Sequence, residues 1–166
     1  MLRSFHPLPV VRPSSKFYMQ KGDRSAKTIY TLGSSNRNPQ EFVALLDFYQ
    51  IDTLIDVRSF PTSKFEHFKQ ENLENILKEK GIGYIYLGKE LGGYRKGGYE
   101  AYTKTQAYKY GLSKTEKIAK KSTCSIMCAE RLPWRCHRRF IGNSLRKKGW
   151  RVIHVIDEKR IWESKS

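Results

Sequence analysis

The chain has 166 residues, room for one domain with a real core, and 39% of them are hydrophobic, with ten Tyr and eight Phe. Thirty-two Lys and Arg against sixteen Asp and Glu leave a net charge of +16, which favours a polyanionic partner, nucleic acid above all. No window approaches the roughly 18 apolar residues of a membrane span, the amino terminus lacks the apolar core of a signal peptide, and three cysteines make no paired framework of the secreted kind, so a cytoplasmic protein without a membrane partner is expected.

Residues 1–26 hold three of the six prolines and show no period. They read as a flexible basic arm, and residues 27–166 as the folded domain. The regular pattern begins with "KTIYTLG", a β-branched and aromatic run ending at Gly33. "NPQEFVALLDFYQ" follows as a helix, with Asn38 as N-cap, Pro39 in the first turn and Phe42, Leu45, Leu46 and Tyr49 on one face. "TLIDVRSF" reads as a second strand, "NLENILKEKG" as a helix capped by Asn72 and stopped by Gly81, and "GYIYLG" as a third strand. Residues 99–121 read as a long basic helical stretch with a break near Gly111. "CSIMCAE" is a fourth strand, "CHRRFIGNSLRKKG" a helix ended by Gly149, "RVIHVI" a fifth strand and "RIWES" a short sixth piece.

Strand and helix in alternation imply parallel strands joined by crossovers. The expected fold is therefore α/β: a single domain with an open, mostly parallel sheet of about five strands and helices on both faces, layered like flavodoxin or Rossmann folds. Such sheets place their sites at the carboxyl ends of the strands. The unusual residues of this sequence fall there.

After the first strand, Ser34, Ser35, Asn36 and Arg37 form a small-residue turn suited to an anion at a helix start. After the second come Asp56, the one charge within "LIDV", then Arg58 and Ser63. After the third, "GKELGGYRKGG" offers Gly92, Gly93, Tyr94 and Arg95 to a phosphate or a base. After the fourth, "CAERLPWRCHRR" packs Cys128, Glu130, Cys136, His137, Arg138 and Arg139 into twelve residues.

Four chemistries compete for that last stretch. Cys124 and Cys128 lie about 13 Å apart along one strand, and Cys136 lacks a second C-x-x-C pair, so no metal is expected. A redox pair of the C-x-x-C kind is missing. A cysteine loop for sulfur or phosphate transfer fits Cys128 and Arg135 in outline, although "AERLPW" has no glycine to let its amides converge and Glu130 repels an anion. An acid–base corner uses most residues: Asp56, Glu130 and His137 as the catalytic set, with Arg58, Arg138 and Arg139 as phosphate ligands near a helix dipole. On that view Arg58 and Arg138 can be removed with little loss of stability.

In order and spacing, "IYTLGSSNRNPQEFVALL", "IDTLIDVRSFPTSKFEHF", "ELGG", "CAE" and "CHRR" before a helix and "VIHV" resemble the family catalogued as domain of unknown function 488. The resemblance runs from Lys27 to Asp157. It implies an α/β domain without a settled activity, and it marks Asn36, Arg37, Asp56, Arg58, Pro61, Ser63, Gly92, Gly93, Cys128, Glu130, Cys136, His137 and Arg138 as motif positions. Ser34 stands where the family usually carries histidine.

The function expected first is hydrolysis of a nucleic acid or nucleotide. N-glycosidic cleavage of the DNA glycosylase kind, by the carboxylates and without a cofactor, is preferred over phosphodiester cleavage, in which they would bind Mg²⁺. A non-catalytic nucleic-acid-binding protein is the alternative, and a cysteine-dependent sulfur- or phosphate-transfer enzyme the second alternative.

Overall fold

The computed structural model describes residues 27–164, so the arm 1–26 lies outside the described residues. Six strands form one sheet: β1 (Thr28–Gly33), β2 (Thr53–Asp56), β3 (Gly83–Tyr86), β4 (Cys124–Cys128), β5 (Arg151–Val155) and β6 (Ile161–Trp162). Their order is β3-β2-β4-β1-β5-β6. The first five are parallel, and only β6 runs antiparallel, beside β5. The short "RIWES" piece is thus the sixth strand.

Helices cover both faces. α1 (Pro39–Phe48) and α2 (Gln70–Glu79) bury Phe42, Leu45, Leu46, Leu73 and Leu77 on one side. The short α3 (Gly88–Leu91) and α4 (Tyr99–Tyr102), then α5 (Gln106–Ala119) and α6 (Arg138–Lys147), pack on the other, around Leu91, Tyr108, Leu112, Ile141 and Leu145. Among the described residues no helix is long and apolar enough to cross a membrane.

Local chemistry sets these elements. Asn38 accepts from the Glu41 amide at 2.8 Å while the Glu41 carboxylate accepts from the Asn38 amide at 3.0 Å, a complete capping box ahead of α1. Two boundaries differ from those expected. Asn72 does not cap α2: the helix starts at Gln70, and the Asn72 amide instead donates to the Glu66 carbonyl, holding the 3₁₀ turn Glu66–Phe68. The basic stretch breaks at residues 103–105, where Thr105 caps α5, and not at Gly111. Gly111 lies inside α5 because α3 crosses there: a Cβ at this position would meet Glu90 Cβ at 2.6 Å.

Strand parity decides what faces what. On β2, Leu54 belongs to the core under α1 and α2, and Ile55 to the core under α5 and α6. On β4, Met127 takes the first side and Cys124, Ile126 and Cys128 the second. Asp56 pairs in register with Met127, so its side chain leaves the sheet on the face opposite Cys128.

Candidate active site

The loops that follow β2, β3 and β4 enclose an open cleft of about 1010 Å³ at the carboxyl edge of the sheet. Cys128, Cys136 and His137 line it, beneath a rim carrying Arg95, Arg135 and Arg139. A larger hollow of about 1550 Å³ lies at the other edge. It is lined by lysines, Asp47, Asp52 and Glu79, whereas Cys128, Cys136 and His137 lie at the carboxyl edge.

Cys128 ends β4. A chain reversal through the 3₁₀ turn Pro133–Arg135 then returns Cys136 to it, with the two Sγ atoms 2.6 Å apart. Eight residues of separation thus give the proximity that a C-x-x-C spacing was expected to require. Both thiols are buried and free. They share one proton unequally. Cys136 is driven well below the usual thiol range, first by the hydrogen bond from Cys128 and then by His137 and Arg138, against the opposing effect of burial. Burial, and then the hydrogen bond to Cys136, holds Cys128 in its thiol form.

His137 completes the arrangement. Its Nε2 lies 3.0 Å from the Val57 carbonyl, which only accepts, so Nε2 carries a proton. Nδ1 therefore turns to Cys136 Sγ, at 3.6 Å, placed to take the thiol proton. A nucleophile, a base and a group that orients the base stand in line. Gly93 makes room, since a Cβ there would sit 3.1 Å from Nδ1, and the Tyr99 ring packs 5.2 Å from the imidazole.

Arg138 is 0% exposed, the bulkiest fully buried side chain among the described residues. Its Nε donates to Cys128 Sγ at 3.1 Å, Nη1 to Thr31 Oγ1 at 3.1 Å, and Nη2 to the Glu130 and Arg131 carbonyls at 2.5 and 3.3 Å. The expectation of a solvent-facing phosphate ligand is corrected: Arg138 is the buried counter-ion of the thiol pair. Behind it, Thr31 Oγ1 stands 2.7 Å from His154 Nδ1. Because Thr31 already receives the Arg138 hydrogen, its own hydroxyl donates to a bare Nδ1, and His154 is neutral.

Burial first, and then Arg138, lower the His154 pKa from 6.5 to about 4. The folded value lies below the unfolded one, so this contribution is full above about pH 6.5 and lost as pH falls toward 4. The shift corresponds to about 3 kcal/mol. The loss of stability between pH 7 and 4.5, measured by urea unfolding, should be about 2 kcal/mol larger in the wild type than in His154→Gln, because pH 4.5 still lies above the folded value.

The remaining expected residues have other work. Asp56 is 0% exposed and accepts from Arg58 and from the Tyr84 hydroxyl at 2.6 Å each. Arg58 also donates to the Phe68 carbonyl at 2.7 Å. Asp56, Glu130 and His137 therefore do not converge: Asp56 is locked on the far face, and the exposed Glu130 carboxylate accepts from the Leu132 amide at 3.1 Å. Arg58, like Arg138, is a buried partner whose removal affects stability. Arg37 is buried too, donating to the Gly33 and Ile156 carbonyls, and burial lowers its pKa to about 10.

The Ser34 and Ser35 amides extend the β1–β4 pairing to the Cys128 and Ala129 carbonyls, and Asn36 is exposed beside them. Ser63 accepts from the Phe65 amide within its own loop. Gly92 is pressed against Ser59, whose hydroxyl donates to the Gly93 carbonyl at 2.8 Å. Arg95 stacks 4.0 Å over the Tyr102 ring, and Tyr94 and Arg139 are exposed. No group of three or more His, Cys, Asp or Glu among the described residues is arranged to hold a metal.

Sequence reasoning missed Val57, Thr31, His154, Phe60 and Trp134. For Thr31 and His154 the signal was there: each is a lone polar residue inside an apolar strand, "IYTLG" and "VIHVI". The orienting role of Val57 lies in its carbonyl, which no side-chain pattern reveals.

No curated protein and no solved structure shows significant similarity to the chain. A family model does match, over residues 38–145, a span that carries β2 to β4 and the whole thiol loop with its buried arginine. On that match the chain belongs to the family described as Domain of unknown function DUF488.

Proposed function

We propose that this chain is a cysteine-dependent sulfur-transfer enzyme with Cys136 as its nucleophile and a nucleic acid or nucleotide as its acceptor. The observation that carries this reading is the pair of sulfurs 2.6 Å apart, backed by a buried arginine and opening on the cleft. Attack by the Cys136 thiolate on the outer sulfur of a persulfide donor breaks the donor's S–S bond. The donor departs as a thiol and Cys136 holds the persulfide. Cys128 then attacks Cys136 Sγ, closing a disulfide and expelling hydrosulfide, which displaces a leaving group from a carbon of the acceptor as the new C–S bond forms. Two thiols are oxidised as the sulfane sulfur is reduced, and an external dithiol resets the pair. The net charge of +16 supports a polyanionic acceptor.

Phosphate transfer draws less support, because the Arg138 guanidinium is fully engaged with protein acceptors. Hydrolysis of a glycosidic or phosphodiester bond draws less as well, because Asp56 and Glu130 lie apart and form neither an acid–base pair nor a donor set for Mg²⁺.

Intact-mass spectrometry with inorganic polysulfide tests the proposal. The Cys128→Ser variant should gain one sulfur at Cys136, and the wild type should instead lose two hydrogens while hydrosulfide appears. Cys136→Ser should do neither. Absence of sulfur uptake in Cys128→Ser would overturn the reading. Glu130→Gln separates the hydrolytic alternative: under the thiol reading sulfur uptake is unchanged and stability moves by less than about 0.5 kcal/mol, whereas a catalytic carboxylate predicts about a 10²-fold loss of base or strand cleavage.

A further inference from the structure

Three of the four large hydrophobic residues exposed among the described residues stand around the same cleft: Phe60 at 70%, Tyr94 at 93% and Trp134 at 42%. They come from three different loops, after β2, β3 and β4. Sequence proximity does not explain that convergence, and an aromatic face left in water is unfavourable unless something covers it. Trp134 packs edge-on to Trp162 at 5.8 Å and stays 42% exposed, while other aromatics nearby are used internally. The Tyr86, Tyr99 and Tyr102 hydroxyls donate to the Ser59, Leu91 and Glu90 carbonyls. Among the described residues Tyr94 has no such partner, and its backbone holds φ at +52°, the left-handed region that non-glycine residues seldom adopt.

Cations interleave with these rings. Arg135 and Arg139 are exposed on either side of Cys136, and the Arg139 guanidinium lies 3.3 Å from the Trp134 carbonyl. Among the described residues Glu130 is the one carboxylate lining the cleft with them. Flat apolar faces alternating with positive charge match a chain whose units alternate flat rings with phosphates.

We infer that the rim is a binding site for single-stranded nucleic acid. Unpaired bases stack on Phe60, Tyr94 and Trp134, and the flanking phosphates meet Arg135 and Arg139. A duplex does not fit this chemistry, because its base faces are covered by their neighbours. The inference rests on the proposed function, and it names the acceptor as an unpaired stretch of strand held above the thiol pair.

Fluorescence anisotropy with a labelled single-stranded oligonucleotide, and with the same oligonucleotide annealed to its complement, tests it. The full chain should bind the single strand at least about tenfold more tightly than the duplex. Phe60→Ala and Tyr94→Ala, both at exposed positions, should each weaken binding about tenfold, the scale of one stacked base, without changing its salt dependence. Arg139→Gln should flatten the salt slope by about 0.7, the value for one phosphate on a single strand. Equal affinity for strand and duplex, equal competition by polyglutamate, or indifference to both aromatic variants would overturn the inference. The thiol reading is kept separate, because the polysulfide assay needs no nucleic acid.

Discussion

Replacing Arg138 by alanine is expected to cost about 3–5 kcal/mol, the scale for removing one partner from a buried charged pair. That is a large part of the total stability of a domain of this size. The loss has identifiable parts. The Cys136 thiolate loses a nearby positive charge, Cys128 and Thr31 each lose a donor, the carbonyls of Glu130 and Arg131 lose theirs, and a bulky, fully buried side chain leaves a void under α6. Urea unfolding at neutral pH measures the total. Arg138→Lys should recover only part of it, since an ammonium keeps the charge but cannot serve four acceptors in a plane. Arg139→Ala, next along the helix but exposed, should stay within about 0.5 kcal/mol of wild type. If Arg138→Ala were as stable as Arg139→Ala, the buried arginine would not be the counter-ion of the thiols.

The contrast between those adjacent arginines shows where sequence reading stops. The alternation of strands and helices was legible, because the apolar runs "LIDV", "CSIMC" and "VIHV" and the caps at Asn38 and Gly149 are local signals. So was the concentration of unusual residues at one edge of the sheet. Which arginine is buried was not legible, because it depends on the angle at which α6 leaves the loop after β4.

Parity misled in the same way. Asp56 and Cys128 both sit at strand ends at the same edge, but their register sends them to opposite faces. A single strand read alone cannot show that, because facing is settled only when two strands pair. The thiol pair was hidden for a third reason. Cys128 and Cys136 are eight residues apart with an irregular segment between, and only the 3₁₀ turn at Pro133 makes that segment fold back.

The second large effect is the pH dependence of Cys136. Alkylation of this thiol by iodoacetamide is expected to change little between about pH 5 and 8, because the reactive thiolate is already formed across that window. An ordinary thiol, with a pKa of about 8.5, gains about tenfold in rate per unit over the same range. The absolute rate is not diagnostic, since a thiolate of low basicity is also a weaker nucleophile; the slope is. The two thiols titrate as one system, and burial with the hydrogen bond to Cys136 keeps the proton on Cys128.

Cys128→Ala removes the hydrogen bond that contributes most to holding Cys136 as thiolate. The inflection should then move upward, and a slope should appear toward the acid end of the window. Cys128→Ser keeps a hydroxyl donor at the same place and should stay flat. Peptide mapping assigns the label, with Cys124, whose thiol burial pushes up to about 12, as the internal comparison. A tenfold rise per unit at Cys136 in the wild-type protein would mean that Arg138, His137 and Cys128 do not stabilise a thiolate, and the centre would lose its nucleophile at neutral pH.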